Sequence, residues 1–209
     1  AVAERAAIQA TSAGATVVVA PVLCYGNSHH HYPFPGVLSL TSPTFAQVVT
    51  DLLESLVRSG FRKLVVLNGH GGNTEVATVI AQDLVNRLGH DVAIAAVPYW
   101  DMARAALVGS GLITSDRIPG HAGHFETSLV LALRPELVHL ERVGHEEDRG
   151  AGYPYEWLGS VRVQRHGQWG KTGGYTDDPT GARADQGEAY LRLIVAQVAI
   201  FLTAFGQRG

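Results

Sequence analysis

A chain of 209 residues can bury one sizeable core, and we expect a single domain over residues 1–209. It is 46% hydrophobic and 17% charged, with a formal net charge of -3 and no Lys/Arg cluster, which excludes the basic footprint of a nucleic-acid binder. The one cysteine, Cys24, excludes an internal disulfide, fits a reducing cytoplasm and reads as a small core residue. No uninterrupted apolar run approaches the roughly 18 residues that a membrane-spanning helix needs, so no membrane partner is expected.

Residues 2–12 read as a helix already under way at Ala1, with no cap residue ahead of it. The run Ala15-Thr16-Val17-Val18-Val19-Ala20, continuing to Leu23, has the unbroken apolar character of a strand buried on both faces. Tyr25 to Ser42 is a long loop rich in Gly, Pro and His, and loops of that length are usually functional or disordered. Ser42-Pro43 opens a helix, with Ser42 as expected N-cap. Its stripe of Phe45, Val48, Val49, Leu52, Leu53, Leu56 and Val57 ends at Gly60.

A strand from Lys63 to Leu67 runs into Asn68-Gly69-His70-Gly71-Gly72-Asn73, and a helix from Thr74 to Leu88 follows. Asp91 to Pro98 is a further buried strand, ending at Tyr99-Trp100-Asp101, and Ala103 to Pro119 reads as irregular or short-helical. His121 to Leu133 is a helix that stops before Pro135. Val143 to Pro179 is loop-like, with a hairpin expected at Val161–Gln164, and an apolar helix from Ala182 to Phe205 closes the chain. Alternating strands and helices predict an α/β fold, a three-layer α/β/α sandwich on a mainly parallel sheet.

Two segments concentrate ligand-type groups at predicted turn-to-helix junctions: Asn68–Asn73 around His70, and Gly120-His121-Ala122-Gly123-His124-Phe125-Glu126-Thr127. Such junctions converge on one rim of a parallel sheet. Imidazoles with a carboxylate suit a divalent transition metal such as zinc or manganese. Other readings stand beside this one. His70 could be a plain turn residue, and the glycines could cradle a phosphate at a helix N-terminus. The turn lacks the third glycine of a dinucleotide fingerprint, however, and no Gly-Lys-Ser/Thr follows. Glu126 precedes the apolar run Leu129-Val130-Leu131, where a carboxylate needs a partner. Of His29-His30-His31, at most one is expected to be functional, because three adjacent side chains cannot all face one ion. No Gly-x-Ser-x-Gly elbow is present, which weakens a serine hydrolase reading.

The order of Phe34-Pro35-Gly36, Asn68–Asn73, Tyr99-Trp100-Asp101 and His121-Ala122-Gly123-His124-Phe125-Glu126-Thr127-Ser128 resembles the creatininase family of metal-dependent amidohydrolases. The resemblance runs from the first residues to the terminal helix. It implies a two-metal site holding zinc and/or manganese, with His70 and Glu126 as ligands. It makes His121 the acid/base residue, and has Trp100, Tyr99, His31, Gly71 and Gly72 line the substrate pocket. The implied chemistry is hydrolysis of a small, cyclic amide by metal-activated water, with His121 passing a proton to the leaving nitrogen. Family members also carry an N-terminal Glu-x-His-Gly-x-His…Asp motif with further ligands. Residues 1–12 resemble the helix that follows it, so that motif is expected to be absent from this chain. Creatininase proper has a glutamate where Gly72 stands, which points away from creatinine itself. The family also includes formamide hydrolases and peptidases of cofactor biosynthesis, and a non-catalytic member is a third reading. A homo-oligomer is expected, a hexamer by the resemblance.

Overall fold

A computed structural model describes residues 1–144, 166–167 and 169–207. The helices are α1 (Val2–Ser12), α2 (Ser42–Arg58), α3 (Thr74–Gln82), α4 (Tyr99–Gly109), α5 (His124–Leu133) and α6 (Ala184–Gln207). Among the described residues the strands are β1 (Lys63–Asn68) and β2 (Ala93–Pro98), paired in parallel from Lys63 opposite Ala93 to Asn68 opposite Pro98. A parallel pair requires a crossover, and α3 with the π-helical turn Asp83–Arg87 supplies it.

The described residues gather into two compact units. The first holds Ala1–His29, Leu38–Ala105 and Ile194–Gly209. Its core is the apolar stripe of α2 (Phe45, Val49, Leu53) with Leu64 of β1, Ile80 of α3 and Leu84 of the π turn. That stripe is the clearest periodic signal in the sequence, and its Phe45, Val49 and Leu53 are buried against β1 and α3 while Leu52 stays exposed. The helix begins one residue earlier than its serine suggests: Thr41, not Ser42, is the N-cap, its hydroxyl accepting from the Thr44 amide at 3.3 Å. Gly60 follows the helix at φ 95°, a left-handed position that glycine occupies without strain.

The second unit holds His30–Val37 and Ala106–Leu193. Phe125 and Leu129 of α5 are buried there, as are Tyr190 and Leu191 of α6. Phe125 meets Tyr190 with ring centroids 5.3 Å apart. At Gly187, α6 runs so close to α5 that a Cβ would stand 1.8 Å from the Ser128 carbonyl oxygen. α6 is long and apolar enough to cross a membrane by composition alone, although Arg192 and Gln197 interrupt its apolar run. Its residues Tyr190, Leu191, Ile194, Val195 and Val198 are buried within the protein, while Ile200 is exposed.

Several expectations need correction. Ala15–Leu23 forms no strand: β1 and β2 pair with each other, no ladder to this run exists among the described residues, and Val18 and Val22 are 69% and 86% exposed. A β-branched run marks a segment fit for a sheet but does not supply the neighbouring strand. Cys24, which follows that run, is consequently exposed rather than a core residue. Tyr99 to Gly109 is a full helix, starting directly at the end of β2. α5 starts at His124, leaving His121 in the turn before it. The hairpin expected at Val161–Gln164 lies outside the described residues.

Candidate metal and amidohydrolase site

In the first unit, β1 ends at Asn68, whose buried amide side chain organises the glycine turn. Asn68 Nδ2 donates to the His70 carbonyl at 2.8 Å and to Thr74 Oγ1 at 3.1 Å, and Asn68 Oδ1 accepts from the His70 amide at 3.1 Å. Asn73 at the far end of the turn accepts from the Asn27 amide at 2.8 Å. Gly26 leaves room for it: a Cβ there would lie 2.6 Å from Asn73 Oδ1 and would have to displace that side chain. The turn thereby anchors the loop before it as well as the helix after it.

His70 Nε2 lies 3.0 Å from the Asn27 carbonyl oxygen and 3.0 Å from Ser28 Oγ. A carbonyl can only accept, so Nε2 carries the proton and the ring's lone pair is on Nδ1. Burial pushes the His70 pKa below its ordinary value, against the opposing pull of the Asn27 carbonyl. A neutral imidazole with one nitrogen anchored by a backbone carbonyl is the form in which histidine ligates a metal. A Cβ on Gly71 would meet nothing within 4 Å, so this part of the turn faces open space. Tyr99 and Trp100 form the start of α4, with ring centroids 5.0 Å apart at 80°, and Trp100 is buried.

In the second unit, His121 sits in a turn whose neighbours carry positive φ: Gly120 at 60° and Ala122, unusually for a non-glycine residue, at 46°. Glu126 bends back from the first turn of α5, and its Oε2 accepts from the Ala122 amide at 2.7 Å. This is a capping-box contact displaced by one residue beyond the N-cap, Gly123. Burial is the main cause that raises the Glu126 pKa. The Ala122 amide opposes it and the negative charge of Asp177 adds to it. Such a carboxylate gains from a cation, so the donor set fits a metal here as well.

Four rings surround the same turn. The His31 and His121 imidazoles stack with centroids 4.2 Å apart and 21° between planes. Trp169 stands edge-on to both, at 4.8 Å from His31 and 5.1 Å from His121, and His30 lies 4.0 Å from His31. The structure therefore brings His31, His121 and Glu126 together in one unit, and His70 with Gly71 and Gly72 on one turn in the other. Sequence reasoning missed Trp169, Thr176 and Asp177. All three fall in a glycine-rich stretch without periodicity, where nothing but their proximity in space marks them.

The family model described as creatinine amidohydrolase matches residues 1–202. The chain belongs to the creatininase family. It is 35% identical over 125 residues to the creatinine amidohydrolase of Pseudomonas putida, a match covering 56% of this chain and 47% of that protein. It is 30% identical over 173 residues to a mycofactocin precursor peptide peptidase of Mycolicibacterium smegmatis, covering 82% of this chain and 60% of that one. The chain thus spans about half the length of the curated relatives it matches. A crystal structure of creatinine amidohydrolase superposes with a TM-score of 0.74 at 30% identity, covering 100% of this chain and 81% of the other. The α/β reading of the sequence is therefore correct at the level of the family fold. Solved creatininase structures include a Mn form and a Zn–Zn form.

Proposed function

We propose that this chain carries part of the active site of a metal-dependent amidohydrolase that cleaves a C–N bond in a small, cyclic amide. The observation that carries the reading is the His70 ring, whose Nε2 is directed at the Asn27 carbonyl so that the neutral ring's lone pair is on Nδ1, and whose pKa burial lowers. His70 and Glu126 would hold divalent ions, zinc or manganese, two per site. Those ions supply, when bound, an activated water and charge for the developing oxyanion. His121, stacked on His31, transfers the proton to the leaving nitrogen. Tyr99, Trp100, His31, Gly71 and Gly72 are the residues we propose to contact the substrate. Gly72 leaves that set without a carboxylate, which argues for a substrate other than creatinine.

Metal analysis and amide hydrolysis by the protein, beside His70→Ala and Glu126→Gln, test the reading. Both variants should lose metal and activity, and full activity in both would overturn it. A second reading, hydrolysis of a peptide bond, is favoured by the match to a peptidase over 82% of this chain. A panel of cyclic amides, formamides and short peptides separates the two. A homo-oligomer, hexameric by family resemblance, and a cytoplasmic location are the expected setting, the first checked by sedimentation.

A further inference from the structure

The turn that carries His121 is held by a segment far away in sequence, and the pattern of hydrogen bonds is unusually complete. The His121 amide donates to Thr176 Oγ1 at 2.7 Å, and the Thr176 amide donates back to the His121 carbonyl at 2.9 Å. Both peptide groups of His121 are thereby fixed, and with them the direction of its Cα–Cβ bond. One residue on, Asp177 Oδ2 accepts from the His124 amide at 3.0 Å, satisfying one of the orphan donors at the start of α5. The carboxylate lies flat against the turn. A Cβ on Gly123 would fall 1.7 Å from Asp177 Oδ1, and one on Gly120 would fall 2.8 Å from it.

This arrangement costs more than a cap requires. Asp177 Oδ1 is buried without a hydrogen-bond partner among the described residues, and an unmatched buried acceptor is destabilising. A serine would cap the His124 amide without burying a second oxygen. Ala122, between the two clamped positions, is kept at a φ of 46° that an alanine avoids when free. The ring of His121 then packs on His31, stacked at 4.2 Å, and edge-on with Trp169, contacts that depend on where the clamped backbone directs its Cα–Cβ bond.

We propose that Thr176 and Asp177 are positioning residues: together they clamp the backbone of the His121–His124 turn and so aim the His121 imidazole and the Glu126 carboxylate. The inference rests on the reading of His121 and Glu126 given under Proposed function. The clamp itself can be measured without a substrate.

The test uses Thr176→Val, Thr176→Ser and Asp177→Ala in the full chain, with kinetics on the amide that the wild type hydrolyses and amide hydrogen exchange at His121 and His124. A misaimed catalytic group costs about tenfold to a hundredfold in rate. Thr176→Val should therefore lose at least about tenfold in kcat with KM within about twofold, and Thr176→Ser should restore kcat. Exchange at His121 should quicken in Thr176→Val, and exchange at His124 in Asp177→Ala. Wild-type kcat in Thr176→Val, or an equal loss in Thr176→Ser, overturns the proposal. If the wild type hydrolyses no amide, the functional reading fails and the exchange data alone decide the clamp: unchanged protection of His121 in Thr176→Val refutes it. If Thr176→Val does not fold, the kcat and His124 exchange of Asp177→Ala decide in the same two directions.

Discussion

At the scale of single residues, the two candidate ligands differ in how burial acts on them, and the difference can be measured. Burial keeps His70 neutral, the state in which it binds a metal, whereas burial makes the charged form of Glu126 costly. His70→Ala should therefore lower metal affinity by at least about tenfold, read by competition with a chelating dye. In metal-free protein, Glu126→Gln should raise the unfolding midpoint at neutral pH, because glutamine keeps an acceptor for the Ala122 amide without a buried charge. A lower midpoint in calorimetry would show that the carboxylate charge is already compensated without metal. His70, His121 and Glu126 stand out in the sequence as candidates because each lies in a short motif dense in ligand-type groups, although the side-chain partners of His70 (Asn27, Ser28) and the ring stacked on His121 (His31) lie far off in the chain. Thr176 and Asp177 do not, since they act across 55 and 53 residues and only the folded chain brings them to their turn.

At the scale of elements, local signals succeed where an element carries its own cause and fail where it needs a partner. α2 is legible from its periodic stripe, Pro43 and Gly60, and only its cap is displaced, from Ser42 to Thr41. The run Ala15–Leu23 has strand composition, yet a strand exists only with a ladder, and among the described residues none reaches this run. The crossing of α5 and α6 within the second unit is likewise invisible in the sequence, although Gly187 sits inside a helix where alanine would be preferred. Two effects compete there. Gly187→Ala gains about 1 kcal/mol in helix propensity. It also places a methyl group 1.8 Å from the Ser128 carbonyl oxygen, which is backbone and cannot swing away. Overpacking of that kind costs about 1–3 kcal/mol and sometimes more, so the variant should be destabilised despite its better helix former. Denaturant unfolding checks this, and a stabilised Gly187→Ala would mean that the helices separate readily.

For the molecule as a whole, the family fold is legible because motif order survives in the sequence. The pH range of stability is not, since it depends on which titratable groups the fold buries. Two such groups set opposite limbs in the metal-free protein. Burial lowers the pKa of His70 from 6.5, so between that lowered value and 6.5 the unfolded chain binds more protons than the folded one. His70 therefore contributes stability that is complete above pH 6.5 and lost as pH falls through that window. Tyr190 is the alkaline counterpart: it is fully buried, its hydroxyl donates to the Leu112 carbonyl at 3.3 Å, and burial raises its pKa above 10.0. Above pH 10.0 the unfolded chain releases the phenolic proton first, so stability falls as pH rises through the folded value. Glu126, with its raised pKa, works against the His70 limb by losing stability as pH rises, so that limb is best read in a Glu126→Gln background. Tyr190→Phe should be less stable than the parent at neutral pH by about 1 kcal/mol, having left the Leu112 carbonyl without its donor. Its stability should nevertheless decline less above pH 10.0, and His70→Gln should flatten the acid limb in the same way. Urea midpoints across the pH range check both limbs, and an alkaline decline as steep in Tyr190→Phe as in the parent would assign that limb to other groups.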